Sequence, residues 1–193
     1  MSDQGIKSTP QYQRLEIDLN GRRHLLVTDA AEMPDVAFAP GTSAAAFDER
    51  WTIAGDSRAI PTPGGHRTDH AFRSCQHLLI ALQRRLSEER MGFRLYAIGT
   101  EPFLWSVYGA AEAFGLGRTE IRLFAHGSRA RRVYCNHCRT ITESVTTNIV
   151  KCTGCAAHLF VRDHFSRRLN AYAGVQVDAE APGEIPPVEE LYA

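Results

Sequence analysis

Residues 133–155 read VYCNHCRTITESVTTNIVKCTGC. The stretch contains two Cys-x-x-Cys turns, and the thirteen residues 139–151 separate them. Each turn can present two thiolates to one ion, and a connection of this length suits a single hairpin. The spacing therefore predicts a zinc ribbon with one structural zinc ion (Zn2+) bound by Cys135, Cys138, Cys152 and Cys155.

Other uses of the four thiols are less consistent with the pattern. A pair of disulfides would need an oxidising compartment, and the chain has an odd number of cysteines, five. A four-thiolate iron or iron–sulfur site uses the same ligands and stays open as an alternative. A catalytic zinc keeps one position free for water, whereas four thiolates leave none. We expect Gly154 to permit a strained backbone in the second turn.

The composition is that of a soluble globular protein. The 193 residues are 44% hydrophobic, and 22 basic residues balance 22 acidic ones. The net charge therefore gives no general attraction to nucleic acid or anionic lipid. No run of 18 apolar residues and no signal-like N-terminal stretch is present, so we expect a cytoplasmic protein.

An alternation of helices and strands precedes the cysteines. Apolar residues recur at helical spacing from Thr68 to Arg90 and from Phe103 to Phe114, and a glycine follows each run. Short apolar runs at 95–98 and 121–124 predict buried strands, as does the segment 51–54. This order favours a parallel sheet covered by helices.

The beginning and the end of the chain give simpler patterns. Alternating apolar residues on both sides of Asn20-Gly21 predict a hairpin. Between the cysteine pairs, alternating residues from Ile141 to Ile149 predict a strand or hairpin. We therefore expect a flexible tail (1–13), an α/β domain (14–130), a zinc ribbon (131–165) and an extended acidic C-terminal tail (166–193).

Three further groups of residues suggest other chemistry. Gly99 and Thr100, at a predicted strand-to-helix turn, are candidate cofactor-binding residues, because a phosphate can approach a helix N-terminus there. Asp163, His164 and Ser166 resemble a catalytic triad only in composition, since sequence neighbours rarely converge. Arginines cluster ahead of and into the cysteine region and could bind nucleic acid or an acidic protein: Arg118, Arg122, Arg129, Arg131, Arg132 and Arg139.

The cysteine region resembles one known family. The motifs are Val-Tyr-Cys-x-x-Cys at 133–138, Val-Thr-Thr-Asn-Ile-Val at 145–150, Cys-x-Gly-Cys at 152–155 and His-Leu-Phe-Val-Arg-Asp-His-Phe-Ser-Arg at 158–167; Tyr172, Gly174 and the tail 178–183 continue them. Together they resemble the small subunit of bacterial dimethylamine monooxygenase. The resemblance implies a complex in which a haem subunit demethylates dimethylamine to methylamine and formaldehyde. A partner containing FMN and a 2Fe-2S cluster would deliver electrons from NADPH, and this chain would be an accessory, non-catalytic subunit.

A second resemblance concerns residues 95–124. Leu-Tyr-Ala-Ile-Gly-Thr-Glu-Pro-Phe-Leu at 95–104, followed by a helix and a strand, is similar to the last part of a ferredoxin-reductase nucleotide domain. It implies a Rossmann-like α/β fold ahead of the small C-terminal β zinc ribbon. The family's Cys-Gly-Pro and its Gly-rich loop are absent here, which favours a domain that kept the fold and lost the cofactor. A nucleic-acid-binding ribbon protein and a stand-alone nicotinamide-dependent reductase remain the alternative functions.

Overall fold

The computed structural model describes residues 8–30, 33–54 and 68–193 and divides the chain into two compact units. The sheet unit is Tyr12–Gly127. The ribbon unit is Ser128–Ala193 together with the N-terminal residues up to Gln11. Within the described ranges, no helix combines the length and apolar character needed to cross a bilayer.

The sheet unit is built on parallel strands, as far as its described residues show. The strands are β1 (Arg23–Thr28), β2 (Glu49–Ile53), β3 (Thr68–Phe72), β4 (Phe93–Gly99) and β5 (Ile121–Ala125), in the order β3-β2-β1-β4-β5. Helix α1 (Cys75–Ser87) joins β3 to β4, and α2 (Glu101–Glu112) joins β4 to β5. The central β1 and β4 are apolar runs because both faces of a parallel sheet are covered. The predicted α/β class is confirmed.

The two faces of this sheet are covered by different segments. Helices α1 and α2 contact each other, as expected because their crossovers run in the same direction across the sheet. On the other face, Leu26, Tyr96 and Ile98 form an apolar cluster with Leu15 and residues of the segment 33–47. The edge of the Tyr96 ring meets Phe47, with ring centroids 4.9 Å apart. Irregular chain thus covers a second side of the parallel strands.

The predicted hairpin at Asn20-Gly21 is wrong. A tight turn does form, since the Gly21 N–H donates to the Asp18 carbonyl oxygen at 2.8 Å. However, β1 already pairs on both sides with parallel strands, so the segment before the turn finds no free edge. Leu15 bridges instead to Phe38, and Leu19 is 91% exposed.

The predicted helix from Thr68 to Arg90 is wrong in its first seven residues, 68–74. Residues 68–72 form β3, which pairs with β2 from Glu49 to Ile53. Helix α1 begins after Ser74, whose Oγ accepts from the His77 N–H at 3.3 Å and so caps the helix. Ala71 and Phe72 fit the apolar spacing of a helix and also that of a strand. Pairing with β2 makes this segment a strand.

The ribbon unit contains the second sheet. Its strands are β6 (Arg131–Cys135), β7 (Ile141–Val145), β8 (Ile149–Lys151), β9 (His158–Ser166) and β10 (Ala171–Gln176), in the order β7-β6-β10-β9-β8. Strand β10 is parallel to β6, and the other pairs are antiparallel. The expected alternation through 141–149 is interrupted, because Ser144 has a φ of 55°. Thr142 and Val145 are the buried residues of β7, and β7 and β8 pair with different strands rather than with each other.

The buried hydroxyl of Tyr96 gives a test of the sheet unit. This side chain is fully buried; its Oη accepts from the Asp18 N–H at 3.0 Å and lies 3.1 Å from His24 Nδ1. Tyr96→Phe removes both contacts, so we expect the free energy of unfolding to fall by about 1 kcal/mol in urea denaturation. Leu19→Ala, at an exposed position, is the control and should change nothing. An unchanged midpoint for Tyr96→Phe would contradict the hydrogen-bonding scheme.

Candidate metal centre

Four cysteine sulfurs converge in the ribbon unit. Cys135 ends β6, Cys138 follows it in a turn, and Cys152 and Cys155 lie between β8 and β9. The four Sγ atoms are within 4.8 Å of one another. The Cys135–Cys155 separation is 3.8 Å and the Cys138–Cys152 separation is 3.5 Å. These distances are far longer than a disulfide bond of about 2.05 Å, and the thiols are free.

The first turn, Cys135–Thr140, is closed by two backbone hydrogen bonds. The Cys135 N–H donates to the Thr140 carbonyl at 2.9 Å, and the Arg139 N–H donates to the Cys135 carbonyl at 2.9 Å. Arg139 has a φ of 67°, in the left-handed region. The turn therefore reverses the chain immediately after its second cysteine.

The second turn, Cys152–Ala157, repeats this arrangement. The Cys152 N–H donates to the Ala157 carbonyl at 2.8 Å, and the Ala156 N–H donates to the Cys152 carbonyl at 3.0 Å. Ala156 has a φ of 62°. Neither left-handed position is a glycine, so sequence inspection missed both. The equal spacing from each cysteine pair was the signal that could have identified them.

Gly154 has a different role from the one expected. It is not among the residues with positive φ. A Cβ at this position would lie 2.3 Å from Thr140 Oγ1 and 3.0 Å from Cys138 Sγ. The absence of a side chain therefore lets the two turns approach each other. The prediction of a strained backbone at Gly154 is wrong, and close packing explains the glycine instead.

The surroundings of the sulfurs favour thiolate at one position. Hydrogen bonds from the Thr140 side chain and backbone lower the pKa of Cys138 to about 6. The Ala157 N–H lowers the pKa of Cys155, but desolvation and hydrogen bonds with the other three thiols outweigh it and raise that pKa to about 11. Without a cation, four adjacent sulfurs cannot all ionise, because each thiolate repels the next.

The spacing of the sulfurs fits one tetrahedral ion. Four sulfurs about 2.3 Å from a central zinc would lie about 3.8 Å apart, close to the separations of 3.5 and 3.8 Å. An iron–sulfur cluster would hold its thiolates further apart, because several metal atoms lie between them. Four protein ligands also complete the shell and leave no position for a reacting water.

Comparisons with known proteins match both parts of the chain. Residues 132–175 match the C-terminal domain, and residues 52–121 the N-terminal domain, of the family described as "Dimethylamine monooxygenase subunit DmmA-like". A protein of Ectopseudomonas mendocina (strain ymp), "Heme-dependent oxidative N-demethylase delta subunit", is 39% identical over 175 residues, which cover 91% of each chain. The chain belongs to the DmmA-like family. No solved structure matches it significantly. The first resemblance stated from the sequence is thus confirmed.

Two of the remaining candidate residues and the fifth cysteine of this DmmA-like chain belong to the sheet unit. Gly99 and Thr100 are at the β4–α2 turn of the sheet unit, where the Asp29 carboxylate accepts hydrogen bonds from Thr100. Cys75 begins α1, and burial raises the pKa of its thiol.

The triad residues are engaged in other contacts. The Asp163 carboxylate pairs with Arg131 at 2.9 Å, and the Ser166 Oγ accepts from the Leu169 N–H. His164 Nδ1 lies 3.3 Å from the hydroxyl of Ser8 rather than from that of Ser166. The residues therefore do not form a triad.

Arginines of the predicted cluster are also engaged within the ribbon unit. The Arg131 guanidinium lies 3.9 Å from the ring centre of Tyr172 and 3.8 Å from that of Tyr192. Arg132 pairs with Glu143 at 2.9 Å. Nucleic-acid binding would require these guanidinium groups to contact phosphates, but they already contact groups of the protein. The contacts therefore do not favour the nucleic-acid hypothesis.

Matched substitutions distinguish packing from backbone strain in the second turn. Gly154→Ala should push Thr140 and Cys138 aside, and we expect the free energy of unfolding to fall by about 1–3 kcal/mol, with weaker zinc retention. Ala156→Gly removes a left-handed alanine, and we expect about 1 kcal/mol of stabilisation. Denaturant titration with a zinc-competition assay measures both. Equal effects of the two substitutions would contradict the assigned roles.

Proposed function

We propose that the four cysteines bind one structural zinc ion. The supporting observations are the all-sulfur donor set, the 3.5 and 3.8 Å separations and the two equivalent turns around it. Zinc accepts tetrahedral thiolate sites without a redox role, which suits a closed shell. When bound, it supplies a fixed crosslink between the turns and no reactive water.

The chain itself, in this proposal, is an accessory subunit of a multicomponent haem monooxygenase. The observation that carries it is the 39% identity, over nearly the whole chain, to a subunit of a haem-dependent oxidative N-demethylase. The closed metal centre agrees, because it offers no site for chemistry. We propose that partner subunits hold the haem, the FMN and the 2Fe-2S cluster.

The proposed reaction balances with NADPH as reductant. One oxygen atom of O2 enters a methyl group of dimethylamine, and the resulting carbinolamine breaks its C–N bond to give methylamine and formaldehyde. The second oxygen atom leaves as water, with two electrons and a proton from NADPH and one further proton. None of these steps requires a residue of this chain, whose role is to assemble the subunits that perform them.

The sheet unit is proposed to have a Rossmann-like fold. Its parallel order, β3-β2-β1-β4-β5, is that of the first five strands of the doubly wound dinucleotide-binding fold. Helices α1 and α2 cover one face of the sheet. On the other face, where the doubly wound fold usually has further helices, the described chain is an irregular segment with short 3-10 turns. The unit thus supports a fold assignment without supporting nucleotide chemistry.

The C-terminal segment, residues 184–193, is proposed as the docking surface for a partner. Its backbone is held by the β7–β8 loop: the Glu189 N–H donates to Asn148 Oδ1 at 2.8 Å, and the Asn148 N–H donates to the Glu189 carbonyl at 2.9 Å. The Leu191 and Tyr192 N–H groups both donate to the Thr146 carbonyl. These four hydrogen bonds hold the segment against the β7–β8 loop.

The outward side of this segment is acidic and apolar. Ile185, Val188 and Leu191 are 40%, 59% and 45% exposed. The interval from 177 to 193 carries five acids and no lysine or arginine. A partner surface that is basic with an apolar centre would complement it.

Metal removal tests the proposed crosslink. We expect one zinc ion per purified chain by elemental analysis, because one four-thiolate site is present. A strong chelator should collapse the chemical-shift dispersion of the ribbon unit's amide NMR signals first, since metal binding and folding are coupled there, and leave the parallel strands ordered. Substoichiometric zinc with a fully folded ribbon unit would contradict the structural role.

Co-purification tests the assembly role. A tagged chain recovered from native cells should bring down a haem protein and a flavoprotein, whereas the isolated chain should lack visible absorbance and leave NADPH unoxidised. A Val188→Ser substitution in the C-terminal segment should reduce the recovered haem several-fold. Met91→Ser, at another exposed apolar residue, is the matched control. An isolated chain that oxidises NADPH would overturn the accessory role, and equal recovery for both variants would overturn the docking surface.

A further inference from the structure

The carboxyl ends of β1 and β4 form the position where a parallel α/β sheet usually binds its ligand. From β1 the chain proceeds to β2 and β3 on one side, while β4 and β5 lie on the other. Strand order therefore reverses between β1 and β4, and a crevice opens beyond their ends in such folds. Residues 28–29 and 99–100 lie there, next to the first turn of α2. In nucleotide-binding members of this architecture, phosphate meets a helix N-terminus at this point.

Asp29 fills this position in the sheet unit. The Thr100 N–H donates to Asp29 Oδ1 at 3.1 Å and lies 3.4 Å from Oδ2. The Thr100 hydroxyl donates to Oδ2 at 2.6 Å. Both carboxylate oxygens thus accept hydrogen bonds from Thr100, the N-cap residue of α2. They occupy the immediate approach to the helix N-terminus, where a phosphate would otherwise be attracted.

Gly99 shows how closely the carboxylate approaches. A Cβ on Gly99 would lie 1.7 Å from Asp29 Oδ1 and 2.7 Å from its Cγ. The space that this glycine leaves open is therefore occupied by the acid of the same chain. Sequence analysis made Gly99 a candidate cofactor-binding residue, whereas the group that lies against it in the structure follows the end of β1, 70 residues earlier.

The N–H and hydroxyl donors of Thr100 are both hydrogen-bonded to Asp29. Thr100 is the N-cap residue of α2, yet its side chain makes no capping bond to its own helix. Its hydroxyl donates to the Asp29 carboxylate instead. A phosphate arriving here would lose these donors to Asp29 and would face its negative charge.

The other titratable groups near Asp29 do not reverse this charge balance. Burial raises the pKa of the Asp29 carboxyl, whereas the Thr100 hydrogen bonds and the charge of His126 act to lower it. Cys75 interacts electrostatically with the same carboxylate, and burial raises the pKa of its thiol. No lysine or arginine of the described residues is hydrogen-bonded to Asp29 to compensate a second anion.

We propose that Asp29 is a built-in replacement for the nucleotide phosphate, so that the sheet unit does not take up NADPH although it has the strand order of a nucleotide-binding fold. Any NADPH used by the complex is then bound by another subunit. This inference rests on the Asp29–Thr100–Gly99 contacts and does not depend on the proposed accessory role. If the chain proved unrelated to demethylation, the contacts would still exclude the nucleotide.

The amide of Thr100 reports directly on this arrangement. In the zinc-loaded full chain, its NMR signal should shift with pH as the Asp29 carboxyl titrates. Asp29→Asn should abolish that component of the shift. Asp35→Asn, at an exposed aspartate of the same unit, should leave the Thr100 titration as in the wild type. A Thr100 signal that titrates equally in wild type and Asp29→Asn would overturn the contact.

Ligand titrations then test the exclusion. Millimolar NADPH should leave the chemical shift of the Thr100 amide in the wild type unchanged. A shift that saturates with NADPH concentration would overturn the proposal without need of any variant. Millimolar inorganic pyrophosphate should move Thr100 in Asp29→Ala but not in the wild type. A folded Asp29→Ala variant that also ignores pyrophosphate would show that Asp29 is not the excluding group. Asp29→Asn serves as the second variant, because it keeps the size of the side chain and removes the charge.

Discussion

Four sulfurs lie within 4.8 Å of one another in the ribbon unit, and we propose that the unit depends on the metal ion they would hold. The first turn ends β6, and the second joins β8 to β9, so the two turns lie on opposite sides of β10 in the sheet. One ion held between them would tie both halves of the sheet across its central strand. Without a cation, the sulfurs would have to stay largely protonated, since adjacent thiolates repel each other. The ion would reinforce the pairing that β10 already makes with β6 and β9.

The surface offered by the ribbon unit follows from the same constraint. The β7–β8 loop, residues 146–148, connects the first turn to the second and holds the backbone of the C-terminal segment. Arg131, one strand away, stacks between Tyr172 and Tyr192 and so fixes the end of that segment. A shift in the cysteine turns would therefore move the acidic and apolar residues that we propose as a docking surface. We propose that the metal acts by fixing the geometry of this surface.

Sequence reasoning succeeded where the determining interactions are local. The cysteine spacing identified all four residues that converge, and helical periodicity identified most of α1 and α2. It was wrong where pairing partners decide the outcome. Residues 68–72 fit a helix and a strand equally well, and only their pairing with β2 settles the matter. A tight turn forms at 18–21, but no strand edge is free beside β1, so no hairpin follows.

The roles of two glycines could not be read from the sequence for a related reason. A side chain at position 154 would collide with Thr140, and one at position 99 would collide with Asp29. Both neighbours lie far from the glycine along the chain. Residue type suggested a special backbone or a ligand, whereas the structure shows close packing against the protein itself. Asp29 carried no motif at all, so its position at the start of α2 became visible only with the strand order.

The central claim is that one metal ion, coordinated by sulfur alone, organises the ribbon unit. X-ray absorption at the zinc edge of the purified chain measures this coordination directly. The account predicts four sulfur ligands at a single distance of about 2.3 Å and no second metal in the neighbouring shell. Nitrogen or oxygen among the ligands, or scattering from a nearby metal, would contradict it.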